Sequence, residues 1–129
     1  MADAVPERAE TLLTSEPLIA HLATSVDDRP HVAPVWYDYA DGVVEVLTGG
    51  RKLRDIRENP KVALSVQKDA SGDAEWMVAI HGTASVVEDE AATRDAAGRI
   101  NEKYGASEDA YAENVLVRID VGSARFREY

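Results

Sequence analysis

The sequence predicts a mainly β protein, a small antiparallel barrel of about six strands with helices at its edges. Its apolar runs are short, and tight turns such as "DDRP" (27–30) and "DASGD" (69–73) separate them. The spacing of apolar residues that a helix requires is confined to a few short segments. No internal repeat, linker or low-complexity tract divides the 129 residues, so we expect a single domain over 1–129.

The first half of the chain contains one predicted helix and three predicted strands. Residues 5–17, "VPERAETLLTSEP", predict a short helix, because Pro6 suits an early helical position and the first turn is acidic. Pro17 ends that helix. Apolar runs predict strands at 17–26, 31–39 and 42–49. Asp41-Gly42 separates the last two strands, and this dipeptide favours a tight hairpin turn.

The second half begins with a change of pattern. In residues 51–59, "RKLRDIREN", Leu53 and Ile56 lie three positions apart among charged residues. This spacing predicts a short amphipathic helix, which the following proline ends. The remaining predicted elements are strands at 61–67, 74–89 and 115–121, a helix at 89–103 and a short tail at 123–129. Gly82, inside the long predicted strand, indicates a bulge or bend.

The composition excludes several classes of function. Asp and Glu outnumber Lys and Arg by 24 to 14, giving a net charge of -10. Such a surface repels phosphate backbones and anionic lipids, so we expect no nucleic-acid partner and no membrane partner. No apolar run approaches the roughly 20 residues that span a bilayer, and the start lacks the features of a secretory signal. The absence of cysteine excludes thiolate chemistry and is typical of a cytoplasmic protein.

Standard catalytic and metal-binding motifs are missing from the sequence. His21, His31 and His81 each lie in a predicted strand, and none has the spacing of a metal site. We therefore predict no metal site and assign no catalytic residue.

The run "TGGRKLRDIR" (48–57) is different, because it gathers four cations after two glycines in an acidic chain. Glycines allow a ligand to approach the backbone, and a helix that follows them presents free N–H groups at its positive end. Arg51 and Lys52 fall in the first turn, where cations oppose the helix dipole. An anion bound there by Arg51, Lys52 and the hydroxyl of Thr48 would relieve that conflict. The alternative is a solvated helix in which Arg54 pairs with Glu58.

The order of these segments resembles the pyridoxamine 5'-phosphate oxidase-like, flavin-binding split-barrel family. The resemblance covers roughly residues 15 to 122 and depends on "RPHVAPVWY", the basic turn and helix ending in "NPKVAL", and the "HGTA" strand, in that order. It implies a homodimer of six-stranded split β-barrels, with two cofactor sites that both subunits line.

The resemblance also implies roles for particular residues. Those expected to hold the cofactor phosphate are Thr48, Arg51 and Lys52. Those expected beside the flavin ring, through backbone or stacking contacts, are Val35, Trp36 and Tyr37. Those expected to reach the flavin of the partner subunit are Trp76 and Met77. For Trp36 and Trp76, packing in the core is the alternative.

The function that follows is an FMN-binding oxidoreductase acting on an unknown small molecule. Oxidation of pyridoxamine phosphate itself is not expected, because Tyr37 stands where those oxidases carry a substrate-binding lysine and the chain ends "RFREY". Two alternatives stay open. One is a reductase that uses the deazaflavin coenzyme F420, whose longer polyanionic tail would need further cations. The other is a flavin or haem carrier without turnover, in which His21 or His31 would be the haem ligand.

Overall fold

The computed structural model describes residues 4–129, so the first three positions of the predicted domain lie outside the described part of the chain. In these residues, the elements in chain order are α1 (Glu7–Leu13), β1 (Ala20–Val26), β2 (Arg29–Val35), β3 (Asp38–Ala40), β4 (Val43–Thr48), α2 (Gly50–Glu58), β5 (Lys61–Ala70), β6 (Asp73–Val87), α3 (Glu90–Lys103) and β7 (Val115–Glu128).

The strands form one antiparallel sheet in the order β2-β1-β5-β6-β7-β4-β3. Its two edge strands, β2 and β3, are consecutive in the chain and are separated only by Trp36 and Tyr37. The sheet must therefore curl until its edges approach each other, while the edges themselves remain unpaired. This arrangement is an open, or split, barrel, and it confirms the predicted fold class.

The described residues contain seven strands rather than the predicted six. The difference arises in the predicted strand 31–39, which the structure divides at Trp36 and Tyr37. Before this junction Val35 pairs with Ala20 of β1, and after it Asp38 pairs with Glu45 of β4. The chain changes its hydrogen-bonding partner here, so a continuous apolar run becomes two strands on opposite edges of the sheet.

The longest ladder joins β6 and β7, and Gly82 interrupts its register. The pairing shifts between His81 and Gly82, which confirms the predicted bulge. A Cβ atom at Gly82 would lie 2.5 Å from the carbonyl oxygen of Asp120 and 2.8 Å from Ile119. Only glycine fits this close approach of two backbones.

The predicted tail at 123–129 is wrong, because β7 continues to Glu128. Its final residues pair with the start of β6, where Trp76 lies opposite Glu128. The apolar residues Ala124 and Phe126 alternate with arginines, which is the pattern of a strand with one face toward the protein. The extra residue of the bulge is Gly122 of β7, between Val121 and Ser123, and the alternation resumes after it.

The barrel core consists of the inward-facing side chains of the strands, and helices close its open parts. From α1, Ala9, Leu12 and Leu13 are buried against this core. Helix α3 buries Ala96 and Ile100.

Helix α3 is also attached to the barrel through charges. Arg99 pairs with Glu45 of β4 and with Asp38 of β3 at 3.4 Å, and Arg118 of β7 pairs with Glu45 at 2.8 Å. Among the helices in residues 4–129, none is long and apolar enough to cross a membrane.

We expect Gly82→Ala to destabilise the protein by about 2 kcal/mol or more, since overpacking against backbone costs about 1–3 kcal/mol. The control is Gly98→Ala in α3, where a Cβ meets no atom within 4 Å. That change should stabilise the helix by about 0.5–1 kcal/mol. Urea denaturation of both variants measures these free energies of unfolding, and equal stability of the two variants would contradict the close approach at Gly82.

The ion pairs of Glu45 with Arg99 and Arg118 should make the free energy of unfolding depend on pH. Burial of the Glu45 carboxylate opposes its ionisation, but hydrogen bonds from Arg118 and Arg99 outweigh this and hold its pKa below the ordinary value. A lowered pKa stabilises the folded state above the unfolded pKa of about 4.3, and this contribution disappears as the pH falls through the folded pKa.

The free energy of unfolding of wild type should therefore exceed that of Glu45→Gln at neutral pH, and the difference should shrink below about pH 4.3. Denaturation curves at a series of pH values measure it. Glu58→Gln, at an exposed position, controls for the loss of one negative charge. A difference that is the same at every pH would show that the two arginines do not stabilise the ionised carboxylate.

Candidate functional site

A cavity of about 600 Å³ lies beside the seam of the barrel, which is the junction at Trp36 and Tyr37 between the edge strands β2 and β3. The ends of β2 and β4, the start of α2, and α3 with the segment that follows it surround this cavity. One part of its wall is apolar and is formed by Ile19, Pro34, Val35, Trp36, Leu47 and Ile100. The volume is that of a typical small-molecule or cofactor site, which usually measures about 300–1,000 Å³. The cavity is therefore the candidate functional site.

The other part of the wall can bind an anion. Thr48 ends β4 with 1% of its surface exposed, and its Oγ1 has no hydrogen-bond partner among residues 4–129. Gly50 begins α2 with φ +61°, a left-handed conformation that favours glycine. Residues 50–53 carry no acid, and Lys52 lines the cavity. Thr48, the start of α2 and Lys52 thus lie together at one end of the cavity, and they offer the hydroxyl, amide and ammonium groups that suit an anion.

The predicted phosphate-binding residues separate into two groups in the structure. Thr48 and Lys52 line the cavity, whereas Arg51 is not part of its wall. The Arg51 guanidinium lies 3.7 Å from the Asp55 carboxylate, one turn further along α2. The ion pair thus directs Arg51 along the helix, although its side chain remains half exposed.

A buried polar contact fixes α2 against the barrel. Asp55 is only 8% exposed, and its carboxylate accepts a 2.8 Å hydrogen bond from the hydroxyl of Thr24 in β1. Ile56 beside it is buried in the core. In the sequence, Asp55 only reduces the net positive charge of a basic helix. In the structure, its carboxylate fixes α2 so that the first turn of the helix lines the cavity.

The predicted ring-binding residues also divide. Val35 and Trp36 line the cavity, and Trp36 is held by two aromatic neighbours. Tyr104 stacks on it with ring centroids 4.7 Å apart and planes 6° apart, and Tyr111 meets it edge-on at 5.3 Å. Both geometries are favourable for aromatic pairs.

Tyr37 points the other way and is fully buried. Its hydroxyl donates to the carbonyl of Leu13, its N–H donates to the Tyr104 hydroxyl at 3.2 Å, and its carbonyl accepts from Lys103 at 2.8 Å. Burial raises the pKa values of both tyrosines and lowers the pKa of Lys103. All polar groups of Tyr37 are used within the chain, where they hold Trp36 at the seam.

Trp76 and Met77 lie at the beginning of β6, away from the cavity wall. Trp76 is 7% exposed and packs in the core, and Met77 faces the opposite side of the sheet. Their predicted contact with a partner's cofactor stays a prediction. His21 is exposed on β1, His31 is half-buried on β2, and neither lines the cavity.

Three residues that sequence reasoning missed complete the wall: Asn101, Tyr111 and Asn114. The Asn101 amide group donates to the carbonyls of Glu108 and Ala110, each at 3.2 Å, and its Oδ1 has no partner among residues 4–129. Asn114 lies beside Gly49, since a Cβ there would be in ordinary contact with its Oδ1 at 3.5 Å. Polar residues near a helix end carry no signal in sequence that separates them from a solvated surface.

Known proteins share this architecture. The family model described as pyridoxamine 5'-phosphate oxidase matches residues 5–128. An F420 reductase has a TM-score of 0.77 and 27% identity, covering 94% of this chain and 98% of that one. An FAD-binding protein from Mesorhizobium loti has a TM-score of 0.76 and 23% identity, covering 97% and 96%. A haem storage protein from Vibrio cholerae has a TM-score of 0.78 and 18% identity, covering 96% and 94%.

Comparison with curated protein sequences found no match. The last two of these structures are similar in fold alone, whereas the family model spans nearly all of this chain. The open antiparallel barrel, with a cavity between its seam and a basic helix, is the flavin-binding split-barrel class of protein. The chain belongs to the pyridoxamine 5'-phosphate oxidase family.

Proposed function

We propose that this protein is an FMN-dependent oxidoreductase that acts on a small molecule held in the cavity. The observation that carries the proposal is the buried, unpartnered hydroxyl of Thr48, beside Lys52 and the first turn of α2. Leaving a buried hydroxyl unpaired costs about 1–3 kcal/mol, and a phosphate oxygen at this end of the cavity would satisfy it.

The residues present fit FMN at both ends of the molecule. Thr48 can donate a hydrogen bond to the phosphate, Lys52 supplies a point charge, and the amides at the start of α2 supply further donors. The apolar wall formed with Val35 and Trp36 suits a planar ring and keeps water from it. When bound, FMN supplies hydride or electron transfer.

The chain itself contributes binding and orientation more than acid–base chemistry. Among the described residues that line the cavity, none is Asp, Glu or His. Lys52 is engaged by the anion in this proposal, and the hydroxyl of Tyr111 is the other ionisable group on the wall. We therefore expect the substrate to react with the cofactor directly, without a general base from this chain.

A deazaflavin is the second candidate, because the F420 reductase is 27% identical over almost the whole chain. Its longer anionic tail would extend beyond the phosphate end of the cavity. Arg54 is exposed on α2 and adds positive charge beyond Lys52, whereas Arg57 pairs with Glu88 at 3.2 Å. The choice between the two cofactors therefore depends on the difference between the affinities for FMN and for coenzyme F420, which one titration series can measure.

We further propose a homodimer in which each cofactor site is completed by the partner. The family consists typically of dimeric flavin binders. On the outer face of the sheet, Ala63 lies between Ala23 and His81, so small side chains and an imidazole share this surface. Val32 beside Ala23 is 63% exposed. A cytoplasmic location belongs to the same proposal and is compatible with a chain that has no cysteine.

Removing the anion-binding groups should weaken FMN binding. We expect Lys52→Ala to lower the affinity about 10- to 100-fold and Thr48→Val to lower it about 10-fold, in line with charged and neutral hydrogen bonds. Lys61→Ala, at an exposed position on β5, is the matched control for the loss of one positive charge. Quenching of FMN fluorescence during titration of the purified protein measures the affinity.

The same titration with coenzyme F420 compares the two cofactors. Tighter binding of F420 than of FMN, weakened in the same two variants, would replace FMN by the deazaflavin at an unchanged site. Equal affinity of Lys52→Ala and Lys61→Ala for FMN would contradict the assigned phosphate site.

The dimer is tested with a charge placed on this outer face. Ala63→Arg should produce monomers and weaken FMN binding, because a large charged side chain would have to be buried in a subunit interface formed by this face. Ala40→Arg, at an exposed position on β3, is the control. Light scattering at micromolar concentration gives the mass, with 14.0 kDa expected for one chain. A wild-type monomer that binds FMN fully would contradict a site shared by two subunits.

A further inference from the structure

Asn101 occupies an unusual position in the cavity wall. It lies in α3, is only 1% exposed, and follows Ile100, which is also buried. Lys103 and Tyr104, one turn later, hold the seam of the barrel through Tyr37. Asn101 is thus a buried polar side chain on a rigid part of the site rather than on a mobile loop.

Two carbonyl groups fix the orientation of its side-chain amide. The Nδ2 group donates to the carbonyls of Glu108 and Ala110, each at 3.2 Å. The reversed orientation would place Oδ1 against two carbonyl oxygens, which cannot donate a hydrogen bond. The chain therefore determines that the remaining polar atom of this side chain is an acceptor.

That acceptor is unsatisfied within the chain. Oδ1 of Asn101 is buried and has no hydrogen-bond partner among residues 4–129. Thr48 Oγ1, on the same cavity wall, is the other buried side-chain atom in this state in the described residues. The two atoms differ chemically, because a hydroxyl can donate to an anion whereas an amide oxygen only accepts.

We propose that Asn101 is a ligand-binding residue whose Oδ1 accepts a hydrogen bond from an N–H or O–H group of the bound cofactor. This inference rests on the proposed function, and it adds a requirement to it. The ligand must carry an anionic end for Thr48 and Lys52 and, elsewhere, a neutral donor for Asn101. A flavin has both, with an N–H on the ring and hydroxyls on the side chain.

The same amide connects the ligand to the segment between α3 and β7. Its Nδ2 holds the carbonyls on either side of Asp109, and this segment places Tyr111 against Trp36. Tyr111 has φ +55°, an uncommon conformation for a bulky residue, so the surrounding contacts must maintain it. Asn101 therefore positions this part of the wall in addition to lining the cavity.

The test separates the hydrogen bond from this positioning role by comparing three flavins. They are FMN, FMN methylated at the ring N–H, and an analogue whose phosphate is carried on an alkyl chain without hydroxyls. Each is titrated into wild type and Asn101→Leu, which is nearly isosteric. Glu102→Ala, at an exposed position on the same helix, is the control, and circular dichroism and melting temperature establish that each variant is folded.

We expect Asn101→Leu to bind FMN about 10-fold more weakly than wild type, as for loss of one neutral hydrogen bond. If Asn101 accepts from the ring N–H, wild type and the variant should bind the methylated flavin equally, and the variant should still bind the analogue without hydroxyls more weakly. If it accepts from a hydroxyl, the two analogues should exchange these results. An equal loss for all three flavins, or no loss for any, would overturn the inference and leave Asn101 with a structural role only.

Wild type supplies a second measurement that does not depend on how the variant folds. It should bind one of the two analogues about 10-fold more weakly than FMN, and equal affinities for all three would overturn the inference. If wild type binds FMN and the Thr48 and Lys52 variants bind it more weakly, the proposed function stands whatever the result for Asn101. If wild type binds no flavin, the proposed function fails and this inference fails with it.

Discussion

The junction formed by Trp36 and Tyr37 is the constraint on which the barrel and its cavity depend. These two residues connect strands that lie on opposite edges of one sheet, so the sheet has to curl until the edges meet. The two side chains then point to opposite sides. Tyr37 is buried and anchored to α1 and α3, while Trp36 forms the cavity wall. The cavity is a direct consequence of how the seam is held.

Different elements form the two ends of the cavity, one proposed to bind an anion and the other apolar. The proposed anion-binding end lies at the junction of β4 and α2, where a glycine turn, the free amides at the helix start and Lys52 adjoin one another in a chain of net charge -10. The apolar end belongs to the seam, and α3 closes the space between them. A buried contact from Thr24 to Asp55 fixes the first part, and aromatic packing around Trp36 fixes the second. Contacts within the chain thus hold each end in place, and a site that is already formed costs less entropy on binding.

Local chemistry explains which elements the sequence could predict. Asp41-Gly42 forms the hairpin between β3 and β4, because positive φ at both residues suits a tight turn. The amphipathic helix at α2 and the bulge at Gly82 also follow from short-range patterns. The short strand β3 and the strand character of 123–128 did not, because both depend on which distant strand supplies the hydrogen bonds. Among the site residues, Thr48 and Lys52 adjoin a recognisable glycine turn, whereas Asn101 gives no local signal.

By itself, the sequence determined the class of fold, the family and the position of the cation-rich turn, since alternation, turn residues and charge are properties of neighbouring positions. The tertiary structure decided which of these residues share a cavity. It directed Arg51 toward Asp55 and Tyr37 into the core, and it brought Asn101 and Thr48, more than fifty residues apart in the chain, to the wall of one cavity. The physical reason is that hydrogen-bond satisfaction in the interior is a matter of three-dimensional neighbours. That Thr48 Oγ1 and Asn101 Oδ1 are buried without a hydrogen-bond partner can be recognised only from the folded structure.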